Sequence, residues 1–253
     1  MSIVSFFHRF KFLRQLAKVT GRKINIKQKF HNGYIFLNAV EHSWAWTGKM
    51  NYTTFDAELQ SFIHKTSKSF DYFIDIGSNI GVMTVGTLLA NNTIKAIAVD
   101  PNEQAVKLLK RSLVYNNLND RCEVINAVVG DKEGTVKFDT EGSVTGHVAE
   151  DGKEIGVIRF SSLLNQHSTD KALVKIDVEG YEAVFISDLA KVTNLGNFTI
   201  VIELHPLGFN DIGDPVKVFE VFKQLKGNIT DIYGDTVSEV HPERTTQLVV
   251  SFN

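Results

Sequence analysis

The chain has 253 residues, 43% of them apolar and 22% charged, with 18 glycines and 4 prolines. That balance is globular and excludes a fibrous or low-complexity chain; the length suits one large domain or two small ones. No run approaches the roughly 18–20 consecutive apolar residues of a membrane span. The single cysteine, Cys122, excludes an intrachain disulfide, and no Cys/His spacing suits a zinc module. The expected home is a reducing, cytoplasmic one. The net charge of −2 hides an asymmetry: residues 1–40 hold eight basic residues and no acid, leaving 19 basic against 29 acidic. This predicts a basic arm on a mildly acidic body.

The first element is an amphipathic helix over Met1–Val19, with Ile3, Phe6, Phe7, Phe10, Leu13 and Ala17 on one side and Arg14 intruding. Charges break every apolar stretch and no small-residue cleavage site follows, so it does not read as a secretory signal. Its apolar face is expected to dock on the body or on a second subunit, a homodimer being one such arrangement. The alternative is contact of residues 1–20 with an anionic membrane surface. A short strand is read at Gly33–Val40 and a loop at Glu41–Tyr52. A helix follows at Thr54–Lys65, with Phe55, Leu59, Phe62 and Ile63 on one face. The expected division is an arm and lead-in segment over residues 1–53 and a body over 54–253.

In the body, strands and helices alternate. Phe70–Ile76 is an apolar run suited to a strand buried on both faces. Gly81–Ala90 reads as helix, Ile94–Asp100 as strand, Glu103–Asn116 as helix and Glu123–Val129 as strand. Glu133–Val157 predicts a hairpin and a loop, Ser161–Gln166 a short helix, and Ala172–Asp177 a strand. Tyr181–Asp188 reads as helix, Phe198–Leu204 as strand and Pro215–Gln224 as helix. Asn228–Tyr233 and Gln247–Phe252 are late strands. The pattern predicts an α/β fold built on a doubly wound, mostly parallel seven-stranded sheet, with an N-terminal helical extension. Ligands of such sheets sit at the strands' carboxyl ends, near the reversal of strand order.

The first body strand runs into Asp75-Ile-Gly77-Ser-Asn79-Ile-Gly81, and a helix follows. Glycines in such a turn let backbone approach a ligand, and helix amides point at it. The next strand closes on Asp100-Pro-Asn, where an acid accepts hydrogen bonds from ribose hydroxyls. A dinucleotide fingerprint would need glycine at positions 79 and 82, which are Asn79 and Val82, and there is no P-loop.

Five stretches resemble the FkbM family of class I S-adenosylmethionine-dependent methyltransferases. They are Phe73–Gly81, Val99–Asn102, Asn126–Gly134, the Leu-Val-Lys-Ile-Asp-Val-Glu-Gly-Tyr-Glu string of Leu173–Glu182, and Val201–His205. The similarity covers about residues 55–206 and weakens beyond. Two departures are small: Ser78 stands where alanine is usual, and Val99-Asp100 where Phe-Glu is common.

The resemblance implies transfer of a methyl group from S-adenosylmethionine, most often to a hydroxyl of a sugar, glycan or small metabolite. It places the amino-acid portion of the cofactor on Asp75, Gly77, Asn79 and Gly81, and the ribose on Asp100. Asn126 and Ala127 are placed by the adenine, and Asp177 at the methionine end. Asp177, Glu179 and His205 are the candidates for removing the acceptor's proton, because an alcohol is a poor nucleophile at neutral pH. His205 is a base whose tautomer a neighbouring carboxylate would set. Glu179 has a plainer reading as a cap on helix amides.

A Mg²⁺-like cation on Asp177 and Glu179 is the less favoured route, since two carboxylates on one turn fall short of a ligand set. Lys175 and Glu203 are expected side by side in the sheet as a buried pair. The acceptor pocket is expected from Trp44, Trp46, Tyr52 and the Gly142–Gly156 loop. Nucleic acid is not an expected partner: the body is acidic and lacks a basic, aromatic-studded stripe. A scaffold that kept the fold without activity, and a NAD or nucleotide-sugar enzyme on a similar sheet, are the competing readings.

Overall fold

In a computed structural model, described over residues 24–43, 50–139, 147–148 and 152–252, the chain forms an α/β sandwich. The predicted arm helix, Trp44 and Trp46 lie outside the described residues. No helix among the described residues is long and apolar enough to cross a membrane.

The centre is a seven-stranded sheet. Its strands are β3 (Tyr72–Ile76), β4 (Lys95–Val99), β5 (Cys122–Ile125), β10 (Ala172–Ile176), β11 (Phe198–Leu204), β12 (Asn228–Thr230) and β13 (Thr246–Ser251). They lie in the order β12-β13-β11-β10-β3-β4-β5, and β13 runs antiparallel to both of its neighbours. The order reverses between β3 and β10, which pair in parallel. β3 and β10 are buried almost throughout because helices cover both faces, so their sequences read as continuous apolar runs.

One face carries helices α1 (Ala57–Thr66), α2 (Val82–Ala90) and α3 (Glu103–Tyr115), packed with Phe73, Leu173 and Val201 of the sheet. The same core holds Phe30, Ile35 and Leu37 of a hairpin made by β1 (Asn25–Phe30) and β2 (Gly33–Asn38). The polar alternation of Asn25, Lys27 and Lys29 had hidden β1. Phe30, Ile35 and Leu37, in the stretch read from sequence as lead-in, thus share this core. The other face carries α4 (Phe160–Asn165), the short α5 (Glu182–Phe185) and α6 (Pro215–Gln224).

The stretch expected as a single strand over Glu123–Val129 divides. After β5 the chain leaves the main sheet at Asn126, and β6 (Val128–Gly130) joins a second sheet with β7 (Gly134–Asp139), β8 (His147–Val148) and β9 (Lys153–Arg159). β7 and β9 form the predicted hairpin. The break matters because Val128, Val129 and Phe138 form a wall beside the carboxyl ends of the main strands.

Candidate active site

The turn after β3 is tight. Gly77 has a φ of +78°, and a Cβ there would stand 1.7 Å from the Asp177 carbonyl oxygen. Glycine is required because the ends of β3 and β10 meet there. Gly81, with a φ of +86°, serves packing too: a Cβ would lie 2.2 Å from Leu109 of α3. The clearance expected for a ligand is therefore used, at both positions, by the protein itself.

A cavity runs across the ends of β3, β4 and β10. Of the predicted cofactor residues, Gly77, Asn79, Asp100, Ala127 and Asp177 line it. Asp75 does not. It is fully buried below the turn, accepting from Thr84 Oγ1 at 2.6 Å and lying 3.6 Å from Lys175 Nζ. Burial, opposed by Lys175, holds its carboxyl above the ordinary range. Gly81 does not line the cavity either. Asn126 braces the β4 end, its amide donating to the carbonyls of Asp100 and Pro101, both at 2.9 Å.

Asp100 occupies one end of the cavity. Its Oδ2 accepts from Asn79 N at 2.7 Å and its Oδ1 from Asn102 N at 2.8 Å. Burial pushes its pKa up to about 6 against the pull of those two amides. Ala127, Val129 and Phe138 supply an apolar wall beside it. Phe138 and Tyr181 were not singled out in the sequence, since an isolated aromatic carries no positional signal.

At the other end, β10 and β11 bring together the three predicted catalytic residues. Alternation along the strands places Lys175 and Asp177, and Glu203 and His205, on one face. His205 is 6% exposed. Its Nδ1 lies 3.1 Å from Glu182 Oε1, while Nε2 lies 3.5 Å from Glu179 Oε2, 3.7 Å from Glu203 Oε1 and 3.9 Å from Asp177 Oδ1. Burial alone would lower the imidazole pKa, but the Glu182 bond and the surrounding carboxylates outweigh it, so the pKa is raised. Glu179 is held above its ordinary value by burial and by Asp177 beside it.

Three expectations change here. Lys175 does not pair with Glu203, because the register sets it opposite Asp75 and Val201. Its Nζ lies 3.1 Å from Asp177 Oδ2, and Glu203 Oε2 instead accepts from Gln247 Nε2 at 2.9 Å. The amide cap assigned to Glu179 belongs to Glu182, whose Oε1 accepts from Val178 N and Gly180 N. Glu179 itself stands at a φ of +55°. Tyr52, expected in the acceptor pocket, does not line this cavity; Asn210 and Ile212 do.

A model of the methyltransferase FkbM domain matches residues 75–229. No curated protein matches the sequence. Among solved structures, a candidate transferase from Pyrococcus horikoshii is 12% identical with a TM-score of 0.51, over 98% of this chain and 83% of that one. The protein aTrm5, solved in complex with tRNALeu, is 15% identical with a TM-score of 0.50, over 90% of this chain. The match spans 53% of the aTrm5 chain, about half its length. At such identities the likeness is one of fold.

Proposed function

From the premise that the chain belongs to the FkbM-domain methyltransferases, we propose that it transfers a methyl group from S-adenosylmethionine to a hydroxyl oxygen. The acceptor in this reading is a sugar, a glycan or a small hydroxylated metabolite. The observation that carries it is one cavity lined both by a buried carboxylate, Asp100, at the tip of β4, and by Asp177 and Glu179, with His205 standing behind these two at the tip of β11.

The residues fit the cofactor. Asp100 has lone pairs left beyond its two amide bonds, as needed for ribose hydroxyls. Ala127, Val129 and Phe138 give an apolar slot for adenine, and the Gly77–Asn79 backbone borders the methionine end. When bound, S-adenosylmethionine supplies a methyl group on a positively charged sulfur. The chain's own part is to place the acceptor oxygen in line with that methyl and to take its proton. Asp177 and Glu179 line the cavity beside His205 and form the group within which the proton is drawn off. Lys175, tied to Asp177 and to the Gly77 carbonyl at 3.3 Å, keeps the two strand ends in register.

The test is calorimetry with S-adenosylhomocysteine and with NADH, followed by labelled-methyl transfer to panels of glycans and hydroxylated metabolites. We expect S-adenosylhomocysteine to bind and NADH not to, with Asp100→Ala weakening binding at least about tenfold. His205→Ala should keep that binding and lose about 10²-fold in turnover. Failure of the wild-type chain to bind S-adenosylhomocysteine would overturn the reading.

A further inference from the structure

We propose that Asp177, Glu203 and His205 bind one divalent transition-metal ion beside the cavity, with Asp177 the ligand that lines it. The ion's purpose rests on the hydroxyl-methylation reading; the geometry of the site does not.

One ligand atom each of Asp177, Glu203 and His205 lies within 4.8 Å of the other two, and Nε2 of His205 stands 3.7 Å from Glu203 Oε1 and 3.9 Å from Asp177 Oδ1. In each residue the second polar atom is tied back by a neighbour. Lys175 Nζ holds Asp177 Oδ2 at 3.1 Å, and Gln247 Nε2 holds Glu203 Oε2 at 2.9 Å. Glu182 Oε1 holds His205 Nδ1 at 3.1 Å. Three tethers thus leave one atom of each residue free to serve as a ligand. Such outer contacts orient metal ligands and set the imidazole tautomer.

The histidine supplies an independent sign. This nearly buried residue bonds through Nδ1, and its Nε2 makes no hydrogen bond among the described residues. It faces three carboxylates at 3.5–3.9 Å instead. Neighbouring ligands on a metal with bonds of about 2.1 Å stand about 3.0–3.5 Å apart, so small side-chain shifts would close the set. Charge points the same way: Asp177, Glu179, Glu182 and Glu203 surround the ring. Lys175 is the one lysine or arginine ion-paired with this group among the described residues, and it is shared with Asp75.

One imidazole with two carboxylates suits Mn²⁺, Fe²⁺ or Zn²⁺ better than Mg²⁺ or Ca²⁺, which prefer oxygen ligands throughout. Three protein ligands leave positions for the acceptor hydroxyl, whose proton the ion makes easier to lose. That proton passes to Glu179, which borders the cavity and is not among the three ligands. A C–O bond forms at the methyl carbon as the S–C bond breaks, its electron pair staying on sulfur. His205 is then a ligand and not the base.

The experiment titrates chelator-treated full-length chain with MnCl₂, following free Mn²⁺ by electron paramagnetic resonance. S-adenosylhomocysteine binding is measured in parallel with and without the metal. We expect one Mn²⁺ per chain, and affinity reduced at least 20-fold in Glu203→Gln and His205→Ala. A 10- to 100-fold reduction is expected in Glu182→Gln, where only orientation is lost, and none in Glu154→Gln on exposed β9. Glu203 is partly exposed, so its variant guards against a folding defect at His205. Absence of stoichiometric Mn²⁺ in the wild-type chain, or affinity unchanged in both ligand variants, would overturn the metal site. If S-adenosylhomocysteine still binds in that case, the methyltransferase reading stands. Loss of that binding with Mn²⁺ retained would overturn the methyltransferase reading and leave the site.

Discussion

Asp100 and Gly77 show how much one side chain's surroundings decide. The Asp100 carboxyl sits above its unfolded value of 3.8, at about 6, because burial outweighs two amide donors. Ionising it therefore lowers stability as pH rises through that window. Ribose hydroxyls need the ionised acceptor, so cofactor affinity should fall about tenfold from pH 7 to pH 5. Calorimetry across that range checks this, and Asp100→Asn should flatten the profile. Gly77→Ala should lower stability by about 3 kcal/mol or more, because its Cβ would meet the Asp177 carbonyl at 1.7 Å with φ at +78°. Gly234→Ala, also at positive φ but with open space around it, should lose only the left-handed strain of about 1–2 kcal/mol. Denaturant melts of both variants separate crowding from backbone strain.

Elements are joined by a few polar pins whose removal should be local in effect. Asn116, at the end of α3, accepts from Tyr34 N at 2.9 Å and donates to Tyr34 O at 2.7 Å, locking the hairpin to the helix. Asn116→Ala should lower stability by about 1–3 kcal/mol and speed hydrogen exchange at the Tyr34 amide, read by mass spectrometry. Asp188 joins the second sheet to the turn after α5. Its buried carboxylate accepts from Arg159 at 2.9 Å and from Ser161 N at 2.9 Å, and pairs with Lys191 at 2.8 Å. Burial would raise its pKa, but these partners outweigh it and hold the group well below the carboxylate range. Its contribution is present above 3.8 and is lost as pH falls further. Asp188→Asn should melt lower than wild type at pH 7, with the gap closing below pH 4.

For the whole molecule, the cavity joins three strand ends and the second sheet, so a ligand there is coupled to global stability. At about 100-fold excess over its dissociation constant, S-adenosylhomocysteine should add about 2.7 kcal/mol. In a chain of this size that is about 5–11 °C in Tm, measurable by scanning fluorimetry. The doubly wound sheet makes this possible because every βα turn along one edge opens to the same side.

The sequence by itself determined the alternation of strands and helices and the turn chemistry of Gly77–Gly81. Those follow from local rules: apolar runs, cap residues and glycine spacing act within a dozen positions. Phe198–Leu204 and Pro215–Gln224 were legible to the residue for that reason. β1 was not, because one face of its hairpin is solvent-exposed and polar. The break at Asn126 was not, because leaving a sheet depends on the partner strand available, here β9. At the site, Asp177, Glu179 and His205 were named from motif and alternation, and so were Lys175 and Glu203, but the partners these two take were not. Glu203 and Gln247 are 44 residues apart in sequence and face each other only through the antiparallel pairing of β11 with β13. Asp75 and Asp177 are both acids at strand ends; burial made the first a support and left the second open to the cavity. Sequence names the donors, and only tertiary packing decides which atoms of each are already taken.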